Sequence, residues 1–137
     1  MKYYTDNSYK HMQPVTSGQT SFSCPEKLYL DITQDCNLYC KMCRDGLQIT
    51  GKTMSADLFY RLIDETSPFV KSYSLFNWGE PLIVKDFKER VKYVNTKKRK
   101  DCSIEISTNG MLLSSEMIEF LRSMNIDRKS TRLNSSH

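Results

Sequence analysis

The stretch "KLYLDITQDCNLYCKMC", residues 27–43, joins two patterns that decide the fold between them. Its first half alternates, with Leu28, Leu30 and Ile32 on one face and Tyr29, Asp31 and Thr33 on the other, the period of a half-buried strand. Its second half puts Cys36, Cys40 and Cys43 in a C-x3-C-x2-C loop immediately after that strand. A strand that runs straight into three thiols carries chemistry at its C-terminal end.

Working outward, "MSADLFYRLIDE" predicts a helix with Ser55 as N-cap and an apolar stripe of Leu58, Phe59, Leu62 and Ile63. "FVKSYSLFNW" reads as a second strand that stops at "GEP". "VKDFKERVKYVNTKK" is a second helix with Phe87, Val91 and Val94 on one face and lysines at its C-terminal end, where they suit the dipole. "CSIEIS" is a third strand with Cys102, Ile104 and Ile106 on one face and Ser103, Glu105 and Ser107 on the other. "SSEMIEFLRSM" is a third helix capped by Ser114, with Met117, Phe120, Leu121 and Met124 inward and a staple between Leu113 and Ile118.

The order βαβαβα implies an α/β fold of parallel strands joined by right-handed crossovers, as an open sheet or a barrel. Strands with one apolar and one polar face suit a barrel whose outside packs on helices and whose inside holds a polar ligand. The three loops that follow the strands then share one rim, the rim on which such barrels place their chemistry.

Composition narrows the class. A chain of 137 residues, 39% of them hydrophobic, can form one domain. A formal charge of +4 spread over 26% charged residues of both signs describes a solvated surface, so no nucleic-acid partner is expected. The N-terminal segment has no apolar signal region and no window approaches a membrane span, which makes the cytoplasm the expected location and a membrane an unexpected partner. Five cysteines without an export signal argue for reduced thiols with metal or catalytic work. Residues 1–25 read as a flexible leader and 26–126 as the domain. Residues 127–137, "DRKSTRLNSSH", resemble the translation of a common sequencing-library adaptor and are expected to lie outside the domain.

Thiolates are soft ligands for iron–sulfur clusters and zinc, and close spacing lets one loop wrap a compact inorganic centre. Three thiolates on a 4Fe–4S cubane leave one iron open to a reacting molecule. A closed zinc site with Cys24 as fourth ligand and three buried structural cysteines are the competing readings.

In "CNLYCKMC", directly after a first strand, the sequence resembles the radical S-adenosylmethionine (radical SAM) superfamily. The resemblance implies the N-terminal half, three βα units, of a partial (β/α)6 TIM-like barrel. It also implies a 4Fe–4S cluster on Cys36, Cys40 and Cys43, with S-adenosylmethionine chelated at the open iron and cleaved to methionine and a 5'-deoxyadenosyl radical. Met42 stands where the family usually has an aromatic residue against the adenine; a thioether can pack on a purine too. "NWGEPLI" is similar to the family's "GGEP" segment, with Trp78 in place of its first glycine. By that likeness Gly79 allows close approach to the methionine end of S-adenosylmethionine, and Glu80 offers acceptors to its ammonium. "STNG" resembles a third element and implies Ser107, Thr108 and Asn109 facing the ribose and amino-acid ends.

The family further implies a reductant such as flavodoxin or ferredoxin and a peptide or small-molecule substrate. The "WGEPL" form is similar to that of members with a SPASM-type auxiliary-cluster domain. No residue is assigned as acid or hydrogen-abstraction partner; Asp31 and Glu105 fall on the polar strand faces. The alternatives are a non-catalytic zinc or iron–sulfur module, or a truncated inactive chain with an uncovered strand edge.

Overall fold

The computed structural model describes residues 25–40, 51–124 and 126 and the backbone of residues 128–131. Four strands, β1 (Lys27–Tyr29), β2 (Ser72–Ser74), β3 (Ser103–Thr108) and β4 (Arg128–Thr131), form a parallel sheet in the order β1-β2-β3-β4. The crossovers between them carry α1 (Ala56–Thr66), α2 (Phe87–Lys97) and α3 (Ser115–Ser123). Neighbours in sequence are neighbours in the sheet, which is the winding of a barrel wall and not of a doubly wound sheet. The regular ladders are shorter than the alternating runs, but pairing continues past them: Leu30 N donates to Ser74 O at 2.8 Å and Leu75 N to Glu105 O at 3.0 Å.

The helices begin where local chemistry predicts. Ser55 accepts from Leu58 N at 3.3 Å and Ser114 from Met117 N at 3.1 Å, each satisfying a donor that the first helical turn leaves open. The start of α2 differs, since Asp86 makes no capping bond and its carboxylate instead pairs with Arg90 at 3.0 Å. Arg90 is buried, donates from Nη2 to Met54 O at 2.8 Å and lies over the Phe59 ring. It ties α2 to the segment that leads from the cysteine loop into α1.

One face of the sheet is sealed. Leu30, Ile32, Tyr73, Leu75, Ile104 and Ile106 form a single core with Phe59 and Ile63 of α1, Phe87, Val91 and Val94 of α2, and Leu121 of α3. Met117, Phe120 and Met124 pack on its edge. Two apolar positions fall at the margin: Leu58 and Ile118 are each 38% exposed, Ile118 staying outside while Leu113 packs on the core. A helical stripe is wider than the surface it meets, so its flanks stay wet.

On the other face, Lys27 Nζ meets Glu105 Oε2 at 2.8 Å, and Ser74 Oγ donates to the same oxygen at 3.1 Å. The hydrogen bond to Glu105 holds the Lys27 ammonium pKa above its ordinary value. This polar, partly open face is what the interior of a barrel requires.

Beyond the three βα units, a short fourth strand lies along the open side of β3. It pairs Glu105 with Arg128 through Thr108 with Thr131 along β3. Ladder bonds join backbone to backbone, so an extended segment of almost any side chains fills the edge that β3 leaves open.

Tyr73 gives the core a pH dependence. Its ring is fully buried, and its hydroxyl lies 2.7 Å from Thr66 Oγ1, whose own proton goes to Leu62 O at 2.6 Å. Tyr73 is therefore the donor in that pair. Burial pushes its pKa above the ordinary tyrosine value, so the native state favours the protonated form. The associated stability is fully present below the unfolded pKa of about 10 and is lost as pH rises through the native one. The urea midpoint should fall more steeply above about pH 10 in wild type than in Tyr73→Phe, which itself should cost about 1 kcal/mol at neutral pH. Parallel pH profiles for the two would contradict this.

Candidate metal and cofactor site

The loops after β1, β2 and β3 meet at one rim, and backbone atoms interlock them. The loop that follows β1 is closed at its base by an antiparallel bridge between Thr33 and Thr53. There Gln34 N donates to Lys52 O at 2.8 Å, Met54 N donates to Ile32 O at 3.0 Å, and the two threonine hydroxyls lie 3.0 Å apart. The cysteine loop is thus a closed excursion from a fixed neck. Cys36 and Cys40 lie within it, partly exposed and outside any disulfide. Residues 41–50, with Met42 and Cys43, lie outside the described residues, as does Cys24, the fourth ligand of the zinc reading.

The second loop crosses the neck at Gly79. A Cβ there would stand 2.2 Å from Thr33 O and 2.7 Å from Asp35 O, both backbone atoms. Glu80 N donates to Asp35 O at 2.8 Å, and Trp78 N lies 3.4 Å from Asp31 Oδ1. Gly79 is close to backbone, as expected of a residue without a side chain, but the backbone is that of the cysteine loop's own neck.

Glu80 joins the second loop to the third. Its side chain is 1% exposed. Oε1 accepts from Leu82 N at 3.0 Å and from Thr108 Oγ1 at 2.7 Å, while Oε2 accepts from Asn109 N at 2.7 Å. Thr108 Oγ1 in turn accepts from Gly110 N at 3.1 Å, and Gly110 turns the chain with φ at 82°. Three of the roughly four acceptor directions of the carboxylate are used inside the protein. Glu80 and Thr108 accordingly act on the rim through Asn109.

Asn109 reaches back to the first loop. Its Nδ2 donates to Asn37 Oδ1 at 2.7 Å and lies 3.7 Å from Cys36 Sγ, and its Oδ1 accepts from Met111 N at 3.0 Å. Ser107, on the half-buried face of β3, points away from the core that holds Ile106. Five described members of the expected set, Cys36, Gly79, Glu80, Thr108 and Asn109, therefore form one connected chain of contacts, which the other described members, Cys40 and Ser107, do not join. Sequence reading missed Asn37, the Thr33–Thr53 neck and Arg90; the first two are ordinary loop and strand residues until their partners across the fold are known.

The clamp makes a prediction. Glu80→Gln replaces one acceptor oxygen by a donor, so either Asn109 N or the Thr108 and Leu82 pair faces an N–H. A loss of about 2 kcal/mol in urea unfolding is expected, and a change within about 0.5 kcal/mol would show that the three bonds carry no weight.

Comparison with known proteins agrees with this geometry. A model of the radical SAM superfamily matches residues 30–137. The chain is 34% identical over 103 residues to the tungsten-containing aldehyde ferredoxin oxidoreductase cofactor-modifying protein of Pyrococcus furiosus, covering 73% of this chain and 28% of that protein. It is 33% identical over 106 residues to a probable GTP 3',8-cyclase of Methanococcus maripaludis, covering 76% of this chain and 35% of that one. In fold it is similar to BtrN in complex with AdoMet and 2-DOIA, with a TM-score of 0.73 at 20% identity over 82% of this chain and 47% of that chain. The chain thus spans about a third of the length of the curated relatives it matches. A cysteine loop at the C-terminal end of β1, interlocked with a Gly-Glu-Pro loop and an Asn-Gly turn on the rim of a singly wound parallel sheet, together with the family match, establishes that the chain belongs to the radical SAM superfamily.

Proposed function

We propose that the protein carrying this chain is a radical SAM enzyme in which Cys36, Cys40 and Cys43 hold a 4Fe–4S cluster and the adjoining rim takes S-adenosylmethionine. The supporting observation is convergence: Cys36 lies against Asn109, which hangs from Glu80, which crosses the cysteine neck beside Gly79. The donor chemistry fits, because Cys36 and Cys40 are unpaired, partly exposed thiols, as soft ligands to an added group must be. Held there, a cluster would supply the electron for reductive cleavage of S-adenosylmethionine, the source of the family's hydrogen-abstraction chemistry.

The chain's own residues bind and orient. Glu80 and Thr108 fix the rim and Gly79 lets the second loop close on the first; by likeness to the family motif, Ser107, Thr108 and Asn109 face the ribose and amino-acid ends of the cofactor. Met42 takes the adenine side by likeness to the family motif. Lys27, Ser74 and Glu105 make a polar cluster on the sheet face away from the helices, the side on which a substrate would lie.

The substrate is a small molecule or a peptide. The two sequence relatives, at about one-third identity, carry names for different chemistries, a tungsten-enzyme cofactor modification and a GTP cyclisation. Substrate choice in such a protein is set by elements outside this half of the barrel. The reductant is a flavodoxin or ferredoxin, and a reducing cytoplasm suits the free thiols. Among the described residues no helix is long and apolar enough to cross a membrane.

Adding S-adenosylmethionine to the reduced, anaerobically reconstituted protein is expected to change the electron paramagnetic resonance line shape of the cluster. An iron–sulfur signal indifferent to S-adenosylmethionine would overturn the reading and leave a non-catalytic iron–sulfur module, and zinc in place of iron would overturn it equally.

A further inference from the structure

The side-chain amide of Asn109 is fixed in a way that cofactor binding alone does not require. Oδ1 accepts from Met111 N at 3.0 Å, and Nδ2 donates to Asn37 Oδ1 at 2.7 Å. A flipped amide would set N–H against N–H at one end and oxygen against oxygen at the other, so the hydrogen-bond network decides its orientation. An amide nitrogen carries two hydrogens. One serves Asn37, and the other is available to Cys36 Sγ, 3.7 Å from the nitrogen. The backbone of Asn109 is held as well, through the bond from its N–H to the buried Glu80. A donor locked at both backbone and side chain is thus aimed at the sulfur of the first cysteine.

We propose that Asn109 is a positioning residue that donates a hydrogen bond to the Cys36 thiolate of the assembled cluster and thereby raises the cluster's reduction potential; this rests on the reading of Cys36 as a cluster ligand. Reduction adds negative charge, part of which falls on the ligand sulfurs, and a donor at that sulfur stabilises the reduced state more than the oxidised one. Groups that hydrogen-bond to metal ligands tune the centre in this sense. Glu80 takes part indirectly, by holding the turn from which the donor hangs.

The test is a redox titration of the reconstituted protein followed by electron paramagnetic resonance, in wild type, Asn109→Ala and Asn109→Asp. Asp keeps an acceptor for Met111 N and loses the donor; Ala loses both without adding charge. Both variants should titrate at lower potential, Ala by about tenfold in the one-electron equilibrium constant, or about 59 mV, and Asp by more. Unchanged or raised potentials in the variants would overturn the hydrogen bond while leaving the cluster reading intact. Should a variant fail to retain its cluster, asparagine labelled with 15N in an Asn37→Asp background decides. That background keeps the acceptor and removes the neighbouring asparagine amide. A 15N coupling to the reduced cluster supports the contact, and its absence overturns it. A wild-type protein that holds no four-iron cluster defeats the underlying ligand reading before any potential is measured.

Discussion

Cys36→Ala is expected to abolish retention of the 4Fe–4S cluster, and Cys40→Ala and Cys43→Ala should do the same. Changing a group that merely hydrogen-bonds to a metal ligand costs about 10- to 100-fold in affinity, so loss of a ligand itself should exceed about 100-fold. Cys102 supplies the control, because it is buried in the core at the start of β3, at the end opposite the rim. Iron and sulfide analysis after anaerobic reconstitution should find Cys102→Ala loaded as wild type and the Cys36, Cys40 and Cys43 variants empty. Wild-type loading in Cys36→Ala would contradict the assignment.

Gly79→Ala is expected to be the most damaging change among the rim loops that does not touch a ligand. The added carbon would sit 2.2 Å from Thr33 O and 2.7 Å from Asp35 O. Backbone cannot rotate away as a side-chain tip can. The neck is moreover held by the Thr33–Thr53 bridge on one side and by the Glu80 N to Asp35 O bond on the other. Relief requires the second loop to lift, which weakens the bonds from Glu80 to Thr108 and Asn109. A loss of about 3 kcal/mol is expected, at the upper end of ordinary overpacking, with an unchanged denaturant slope. Urea unfolding of the variant within about 0.5 kcal/mol of wild type would show that the loops are not interlocked.

What the sequence discloses here follows the range of the interaction. Ser55 and Ser114 were legible because an N-cap bonds a partner only a few residues away. The alternation of Ile104 and Ile106 with Ser103, Glu105 and Ser107 was legible because strand faces have a period of two. The marginal exposure of Leu58 and Ile118 was not, since periodicity gives a stripe's direction and not the width of the surface that covers it.

The site divides in the same way. The C-x3-C-x2-C spacing of Cys36, Cys40 and Cys43 is legible in the sequence alone. That Glu80 is turned inward to Thr108 and Asn109 depends on pairs 28 and 29 residues apart, which no local pattern encodes. The close crossing of Gly79 over Thr33 is likewise a property of two loops brought together by β1 and β2. Motif likeness singled out residues that lie far apart in the sequence, and the fold shows that several of them hold one another.

The measurement that tests the central claim most directly is production of 5'-deoxyadenosine from S-adenosylmethionine by the cluster-loaded protein under dithionite. The account predicts product in wild type and none in Cys36→Ala, Cys40→Ala or Cys43→Ala. A protein that carries its four-iron cluster and S-adenosylmethionine and releases no 5'-deoxyadenosine would contradict it.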